Sequence, residues 1–433
     1  MLLQFTVENV LSFRDQAVLS LMAAPHVDHR PEHVVELPGV SAPVLRVAAL
    51  YGANASGKSN LVKALNLAAK LAVEGIRPKA TLAVPRFALE TKPSTGPSRF
   101  EFELWKNAAR WSYGFTVANG LVESEWLFSD DGNGERPVFE RANSTYKIGD
   151  GVPLSPERTK FWEFVAEGTR DNQFFLAEAA ERNVQELRAP QEALEQIVCA
   201  PAGFNPPELP NLLARVPAAL DVATSLVRDS GTGIARVDLR FEDTDLQEWF
   251  DAKRKSPSDD GSPSDDEFST RLSEADVELW FKHRVGGGSV TFTEESESDG
   301  TRRLVGLSIA LLLAERFRRT LVIDELDRSL HTLVARQLIR RFQHASNQHA
   351  GQLIFTTHDT NLLDLNLLPR DSIWFVEKDA AGASSLYSLA DFDAEQIEAM
   401  GPSLEQGYLA GRFGAIPFLG DAQRLGWLKK SAS

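Results

Sequence analysis

Three stretches of the sequence contain a short apolar run, and each run leads into polar residues. The first, residues 44–50, reads Val-Leu-Arg-Val-Ala-Ala-Leu and suits a buried parallel strand. Residues 320–325 (Thr-Leu-Val-Ile-Asp-Glu) and 353–358 (Leu-Ile-Phe-Thr-Thr-His) have the same character. Apolar strands of this kind are typical of sheets covered by helices, so the pattern predicts an α/β fold.

Helical periodicity follows the first strand. Apolar residues repeat at helical spacing from Leu61 to Ala72, and Gly75 is a suitable stop for that helix. Residues 155–227 also have a helical texture, although the proline-rich stretch 201–210 interrupts it. No heptad survives three repeats, so we do not expect a long coiled-coil arm.

Residues 1–22 and 99–128 alternate apolar and polar positions, which predicts antiparallel strands. The first segment reads as a hairpin, and the second as a meander with a strong turn signal at Asn119-Gly120. The apolar positions of the meander are Phe100, Phe102, Leu104, Trp111, Tyr113, Phe115, Val117, Val122, Trp126 and Phe128. Glutamates at 101, 103, 123 and 125 occupy alternate positions. We therefore expect a buried aromatic face and a solvated acidic face, rather than a platform for stacking bases.

The residues after the first apolar strand form the pattern G-x-x-x-x-G-K-S, in which glycines let backbone N–H groups wrap phosphates. Lys58 would reach the β- and γ-phosphates, and the Ser59 hydroxyl would hold Mg²⁺. The alternative is a surface Gly-Lys turn, but the strand before and the helix after the loop favour a phosphate site at a helix N-terminus. The loop consists of Gly52, Ala53, Asn54, Ala55, Ser56, Gly57, Lys58 and Ser59.

The other two apolar strands end in the groups that a phosphate loop needs for hydrolysis. Asp324 can bind Mg²⁺ directly or through water, and Glu325 can orient and deprotonate the attacking water. His358 can contact the γ-phosphate or that water. Both strands, in this order after a phosphate loop, predict an ATPase.

A second anion site is predicted at residues 297–301, which precede a helix with Leu304, Ser308 and Leu311 along one face. Ser298 or Asp299 can cap this helix, and its N-terminus would attract an anion. A single subunit gains nothing obvious from two phosphate sites. We therefore expect the second site to complete the first site of another copy across a two-fold axis.

The composition limits the partners of the chain. Its 433 residues include 46 basic and 61 acidic side chains, a formal net charge of −15, which argues against strong non-specific DNA binding but leaves a local basic groove open. No apolar run of about 18 residues and no signal-peptide pattern occurs, so we expect no membrane span and a cytoplasmic protein.

The order of these motifs resembles the ABC-type ATPase head of the SMC, RecF and OLD proteins. The opening residues 5–9 and the segments 297–301, 373–378 and 408–417 look most like the stand-alone ATPases of phage-defence operons, the RloA-like and PARIS-type proteins. The resemblance covers most of the chain except roughly residues 180–290. It implies a P-loop ABC-type ATPase head with an antiparallel β meander and a mostly helical insertion.

The resemblance also implies roles for single residues. The phosphate loop and Asn60 would bind ATP in cis, whereas Ser298, Asp299, Gly300 and Thr301 form the signature, of which Ser298 and Gly300 would touch the γ-phosphate in trans. Asp324 would serve Mg²⁺, Glu325 would be the catalytic base, Asp327 would lie in the inter-subunit loop, and His358 would be the switch histidine. The signature lacks Gly-Gly-Gln, and no glutamine is clearly placed to sense Mg²⁺. Gln173 is a candidate, with a surface or capping glutamine as the alternative.

On this basis the chain is expected to divide into three parts. Residues 1–150 form an N-terminal ATPase lobe, residues 151–290 a helical insertion with a mobile loop near 251–269, and residues 291–433 a C-terminal ATPase lobe. Asp391-Phe392-Asp393 is expected to be a polar turn and not a second catalytic centre.

Two functions remain open. The first is an ATP- and Mg²⁺-dependent scaffold that forms a homodimer or higher homo-oligomer through its heads and controls a separate effector, a toxin or nuclease, in anti-phage defence. The alternative is a RecF/SMC-like DNA-binding ATPase of DNA repair. DNA binding is possible but not indicated, and no membrane partner is expected.

Overall fold

The computed structural model describes residues 1–89, 96–204, 209–255, 271–272, 275–344, 351–395, 397 and 404–416. Its α-helices are α1 (Lys58–Glu74), α2 (Pro156–Gly168), α3 (Phe175–Glu181), α4 (Arg188–Glu195), α5 (Leu209–Arg215), α6 (Pro217–Asp229), α7 (Thr244–Lys255), α8 (Asp299–Arg316), α9 (Thr332–Gln343) and α10 (Leu404–Leu409).

The strands of the N-terminal half are β1 (Leu2–Glu8), β2 (Ala17–Ser20), β3 (Val34–Val35), β4 (Val44–Leu45), β5 (Val47–Tyr51), β6 (Ser98–Lys106), β7 (Ala109–Ala118), β8 (Leu121–Asp130), β9 (Arg136–Ala142), β10 (Thr145–Ile148) and β11 (Ile197–Ala200). Those of the C-terminal half are β12 (Ile234–Phe241), β13 (Val277–Val285), β14 (Gly288–Thr293), β15 (Thr320–Ile323), β16 (Gln352–Thr356), β17 (Ile373–Lys378) and β18 (Ser384–Ser388). The mixed α/β fold with an antiparallel meander confirms the predicted fold class.

The chain divides into two compact units. Unit one consists of the described residues of Met1–Cys199 and Ile354–Ser433, and unit two of those of Ala200–Leu353. These boundaries differ from the predicted ones at 150 and 290, and the three-part division stays a prediction. Residues 251–255 of the predicted mobile loop belong to α7, and residues 256–269 lie outside the described residues.

Unit one carries a seven-stranded antiparallel sheet in the order β10-β9-β8-β7-β6-β1-β2. It also carries a parallel pair in which β17 runs beside β5, with Trp374 opposite Leu50 and Phe375 opposite Tyr51. All five residues of β5 are buried, as the apolar run predicted. This places the residue after Tyr51 at the carboxyl edge of a buried parallel strand, where α/β proteins bind ligands.

The apolar positions predicted for β6 and β7 are buried, whereas the predicted face of β8 is wrong after its first residues. The pairing register of β7 and β8 shifts between Thr116 and Val117, so one extra residue of β8 inverts the faces of the positions that follow. Glu125 is therefore fully buried, whereas Trp126 and Phe128 are only partly buried.

Contacts within unit one satisfy the buried Glu125 carboxylate. It accepts hydrogen bonds from the backbone N–H of Phe175 at 2.7 Å, that of Leu176 at 3.0 Å and the Tyr113 hydroxyl at 3.0 Å. Arg141 Nη1 lies 3.7 Å from the same carboxylate. Burial raises the pKa of Glu125, and the Arg141 charge opposes that effect. A buried acid is thus part of the core where a solvated one was expected.

Unit two contains a three-stranded antiparallel sheet in the order β12-β13-β14, and α6 packs against both β12 and α8. The four residues of β15 are all buried. Across the described parts of both units, no helix is long and apolar enough to cross a membrane.

Candidate functional site

The glycine-rich loop follows β5 and has the backbone conformation that its glycines permit. Gly52, Ala55 and Gly57 have φ values of 152°, 62° and 121°. A Cβ on Gly52 would lie 2.3 Å from the carbonyl oxygen of Val376, and one on Gly57 would lie 2.3 Å from Ser384 Oγ. Both ends of the loop therefore require glycine for space as well as for conformation.

Two serines outside the loop hold it in place. Ser384 Oγ donates a hydrogen bond to the carbonyl oxygen of Ser56 at 2.6 Å. The Ser384 N–H donates to the carbonyl oxygen of Ser12 at 2.7 Å, and Ser12 belongs to the predicted N-terminal hairpin. The start of β18 thus contacts the phosphate loop, and the hairpin contacts the start of β18.

Lys58 begins α1, and its side chain is turned back onto the loop. Its Nζ donates to the carbonyl oxygens of Gly52 at 2.7 Å and Ala53 at 3.0 Å, and the residue is 5% exposed. No side chain caps α1, whose N-cap residue is Gly57. The first N–H groups of this helix lack intrahelical acceptors, so its N-terminus favours an anion. Ser59 and Asn60 follow in the first turn and are partly buried, whereas Asn54 and Ala55 are exposed.

His358 reaches the same edge of unit one as the loop. The backbone N–H of Thr357 donates to the carbonyl oxygen of Leu50 at 3.1 Å, so the end of β16 lies beside the end of β5. Thr357 is buried and its Oγ1 accepts the N–H of Asp359 at 3.0 Å, whereas His358 is exposed. The structure therefore brings the predicted switch histidine and the phosphate loop to one edge.

Unit two presents the predicted carboxylates at the end of β15. Asp324 is 6% exposed, and its backbone N–H donates to the carbonyl oxygen of Ala200 at 2.9 Å. Glu325 has a φ of 53°, a left-handed conformation that is strained for a residue with a side chain. Its side chain is 34% exposed, and Arg328 Nη1 lies 3.3 Å from Oε2. Strained residues of this kind cluster at functional sites.

The predicted signature forms the start of α8 in unit two. Ser298 is the N-cap, and its Oγ accepts the N–H of Thr301 at 3.2 Å, which decides between the two predicted capping residues. Ser298 and Asp299 are exposed. A Cβ on Gly300 would lie 2.5 Å from the carbonyl oxygen of Ser329, so glycine lets the loop that carries Asp327 approach the helix.

Gln173 is not placed to sense Mg²⁺. It is 2% exposed, and its Oε1 accepts the N–H of Ile76 at 2.7 Å and that of Phe174 at 3.1 Å. Ile76 follows the C-terminal end of α1, roughly 25 Å from the phosphate loop at a rise of 1.5 Å per residue. The capping role is therefore the one that the geometry supports, although the residue is buried and not on the surface.

The segment 404–416 supports the strand that carries the phosphate loop, a role that the sequence did not predict. Tyr408 stacks on Phe375 with ring centroids 5.6 Å apart and meets Tyr51 edge-on at 6.2 Å. The N–H of Ala415 donates to Glu377 Oε1 at 3.2 Å. Burial raises the pKa of Tyr408 to about 12, so its hydroxyl keeps its proton and donates to the carbonyl oxygen of Ala415. Pro417 of the predicted motif lies outside the described residues.

Asp391 of the predicted polar turn accepts the backbone N–H of Ser388 at 2.8 Å. This bond is part of a capping box, so the turn prediction is correct.

The donors expected to hold Mg²⁺ are chemically suitable. Ser59 offers a hydroxyl and Asp324 a buried carboxylate, and Mg²⁺ prefers oxygen ligands, with few protein groups beside phosphates and water. Within the described ranges, no group of three or more His, Cys, Asp or Glu side chains is arranged to hold a metal. A site made partly of nucleotide phosphates is compatible with both observations.

A buried strand, a glycine loop and a helix N-terminus define a nucleotide-binding ATPase domain of the P-loop class. The family described as "AAA domain, putative AbiEii toxin, Type IV TA system" matches residues 47–364. This match spans well over half of the chain, and the chain belongs to that family. No curated protein matches it.

Solved SMC heads show a weaker likeness. The SMC head domain from Thermotoga maritima is 13% identical, with a TM-score of 0.40 over 89% of this chain and 98% of that one. A structure of the SMC head bound to the C-winged helix domain of ScpA is 14% identical, with a TM-score of 0.44 over 91% of this chain and 99% of that one. Both TM-scores are low, so the assignment rests on the family match.

Proposed function

We propose that the chain is an ATP-hydrolysing scaffold of anti-phage defence that pairs with a second copy through its ATPase heads and controls a separate effector. The observation that carries the proposal is the shape of the phosphate loop, with Lys58 Nζ 2.7 Å from the Gly52 carbonyl oxygen at the start of α1. The defence role is supported by the resemblance to RloA-like and PARIS-type proteins. The family description names a putative toxin of a type IV TA system.

In the proposed hydrolysis, residues of both units have roles. When ATP binds, Lys58 exchanges the Gly52 and Ala53 carbonyls for oxygens of the β- and γ-phosphates. Ser59 and Asp324 would hold Mg²⁺, which neutralises phosphate charge when bound. His358 acts on the γ-phosphate or the attacking water, and Glu325 accepts the proton of that water.

The second copy supplies the signature. Ser298 and Asp299 are exposed at the N-terminus of an 18-residue helix, which attracts a negative charge. In the proposed dimer, Ser298 and Gly300 of one copy contact the γ-phosphate held by the loop of the other copy. ATP thus joins two heads, and hydrolysis releases them. The insertion within 155–290 carries this movement to the effector.

Replacing Lys58 tests the nucleotide site. Lys58→Ala removes a charge-assisted contact to the phosphates, and we expect the Kd for ATP, measured by calorimetry, to rise roughly 100-fold. Lys63→Ala removes a lysine from the exposed side of the same helix and should leave the Kd unchanged. Equal ATP affinity in Lys58→Ala and the native protein would contradict the proposal.

Replacing Glu325 tests the dimer. Glu325→Gln keeps the shape of the side chain but removes the base, so we expect hydrolysis to fall roughly 10²–10⁴-fold while ATP stays bound. Sedimentation should then show a dimer that forms only with ATP. A variant that binds ATP and remains monomeric would argue against a signature acting in trans. Copurification of a stoichiometric protein favours the scaffold, whereas salt-sensitive DNA binding without a partner favours DNA repair.

A further inference from the structure

Unit two contains a cavity of about 280 Å³ next to the signature, and its lining is strongly basic. Arg302 and Arg303 of α8, together with Arg328 of the loop after β15, contribute three positive charges, and Asp299 contributes one negative charge. We call the three side chains the arginine pocket. Gly203, Phe204 and Ser329 complete the described lining. Among the lining residues three positive charges face one negative charge, and the carboxylates of Asp324, Glu325 and Asp327 also act on Arg303.

The guanidinium of Arg303 has hydrogen-bond donors without an acceptor among the described residues. The residue is 4% exposed, and one of its terminal nitrogens donates to the carbonyl oxygen of Glu325. Its Nε and Nη1 are also buried and have no hydrogen-bond partner in the part of the chain that the structure describes. Leaving buried donors of a charged group unsatisfied costs several kcal/mol. If Arg303 served only to hold the backbone of Glu325, its two buried donors without an acceptor would have no explanation.

The neighbouring Arg302 and Arg328 also carry positive charges that an anion could neutralise. Arg302 pairs with the Asp299 carboxylate, but its Nε is likewise buried without a partner among the described residues. Arg328 is half exposed, and within the described ranges its guanidinium lies 3.3 Å from the Glu325 carboxylate. Burial, followed by the Arg328 charge, lowers the pKa of Arg303, and a guanidinium nevertheless stays charged in a protein. The carboxylates of Asp324, Glu325 and Asp327 oppose this lowering and partly neutralise the cluster, but the buried Nε and Nη1 of Arg303 have no hydrogen-bond partner among the described residues.

We propose that the arginine pocket binds a phosphate group. Guanidinium forks match phosphate oxygens with two parallel hydrogen bonds, and a tetrahedral anion can accept from the two arginines of α8 and the one of the loop after β15. The pocket adjoins the first turn of α8, where the helix dipole also favours negative charge. A cavity of about 280 Å³ has room for a phosphate and bridging waters.

Phosphate binding would change the state of Glu325. Arg328 now contacts the Glu325 carboxylate, and a phosphate competes for the same guanidinium. Occupation of the pocket therefore releases Glu325 from its ion pair. The source of the phosphate rests on the proposed function: it is either the nucleotide held by a second copy or a free phosphate.

Thermal unfolding in the presence of inorganic phosphate tests the pocket. The full chain carrying Lys58→Ala is the reference, because this change weakens anion binding at the phosphate loop, and potassium chloride at equal ionic strength is the blank. We expect phosphate to raise the Tm of the reference. Adding Arg328→Gln or Arg303→Gln should weaken the apparent phosphate affinity by at least about tenfold, the effect of one charge-assisted hydrogen bond.

Arg284→Gln is the matched control, because it removes an exposed arginine of unit two outside the pocket. Arg328 is half exposed, so its variant tests the pocket even if Arg303→Gln fails to fold. Equal phosphate affinity in the reference and in the Arg328→Gln variant would overturn the proposal, as would a reference that phosphate does not stabilise. If Lys58→Ala kept its ATP affinity while Arg328→Gln lost phosphate, the pocket would stand and the nucleotide site would fail.

Mixing Lys58→Ala chains with Arg328→Gln chains identifies the source of the phosphate, and full ATP hydrolysis by Arg328→Gln chains alone would already assign the pocket to free phosphate. A mixed dimer of Lys58→Ala and Arg328→Gln chains contains one intact phosphate loop facing one intact arginine pocket. Recovery of ATP hydrolysis on mixing supports a phosphate from the nucleotide of the second copy. No recovery, with phosphate binding by Lys58→Ala intact, overturns that source and assigns the pocket to free phosphate.

Discussion

The phosphate loop of unit one and the arginine pocket of unit two are both suited to a phosphate, but they are built from different parts of the chain. The loop uses backbone groups, and its shape depends on Gly52 and Gly57, where any Cβ would collide at 2.3 Å. The pocket uses side chains, and its backbone is ordinary helix at Arg302 and Arg303.

This difference explains why one site is visible in the sequence and the other is not. Backbone donors that converge on one anion must come from neighbouring residues, so the loop needs its special residues within the span 52–59. Side chains that bind one anion can come from residues that lie far apart in the sequence. Gly203 and Arg328 line the same pocket although more than a hundred residues separate them, and no local pattern announces such a site.

The largest expected effect separates the two kinds of site directly. Gly57→Ala places a Cβ 2.3 Å from Ser384 Oγ and 2.8 Å from Ser12 Oγ, at a φ of 121°. The loop must then move, and losing two charge-assisted hydrogen bonds should weaken ATP binding roughly 100-fold in calorimetry. Phosphate binding at the arginine pocket should remain.

Gly132→Ala is the control for backbone strain, because Gly132 has a φ of 98° but nothing within 4 Å of its Cβ position. It should lower stability without changing ATP affinity. If both alanine variants weakened ATP binding equally, the backbone-built character of the loop would lose its support.

A smaller effect is expected at the two serine caps. Ser298→Ala and Ser155→Ala each remove a side-chain acceptor for a backbone N–H, at 3.2 Å in α8 and 3.3 Å in α2. Each should lower the free energy of unfolding by about 1 kcal/mol in denaturant titrations. Under the proposed function, only Ser298→Ala should also weaken ATP-dependent dimer formation. Equal dimer formation by both variants would leave Ser298 with a capping role alone.

The smallest effect should be a gain in stability. Ala55 has a φ of 62°, which strains a residue with a Cβ, so Ala55→Gly should raise the free energy of unfolding by about 0.5–1 kcal/mol. The same change in a helix, Ala69→Gly in α1, should lower it by a similar amount. A loss of stability in Ala55→Gly would show that the loop is not strained at this position.

The parts of the fold that follow from local patterns were predictable. The fully buried β5 and β15 were read from short apolar runs, and each leads directly to a predicted site segment. The apolar positions predicted for β6 and β7 are likewise buried. In β8 a single extra residue near Glu123 inverts which side chains face the core. No characteristic residue types indicate such a β-bulge in the sequence. The burial of Glu125 with Arg141 therefore depended on tertiary pairing that the sequence alone does not reveal.

Long-range contacts account for the other differences. Gln173 was chosen for its residue type, but its carbonyl caps the chain after α1. The support of Tyr51 by Tyr408 joins residues that lie more than three hundred positions apart. In both cases the sequence shows the residue, but it does not show which distant residue that side chain contacts.

The serine supports behind the phosphate loop have a consequence for the speed of nucleotide capture. Because Ser384 and Ser12 already fix the loop, an arriving nucleotide meets a folded receptor and does not have to order a flexible segment. In the proposed binding step, Lys58 exchanges the carbonyl oxygen of Gly52 for phosphate oxygens. Association should therefore follow a single exponential whose rate rises linearly with ATP concentration, with no slower rearrangement that saturates.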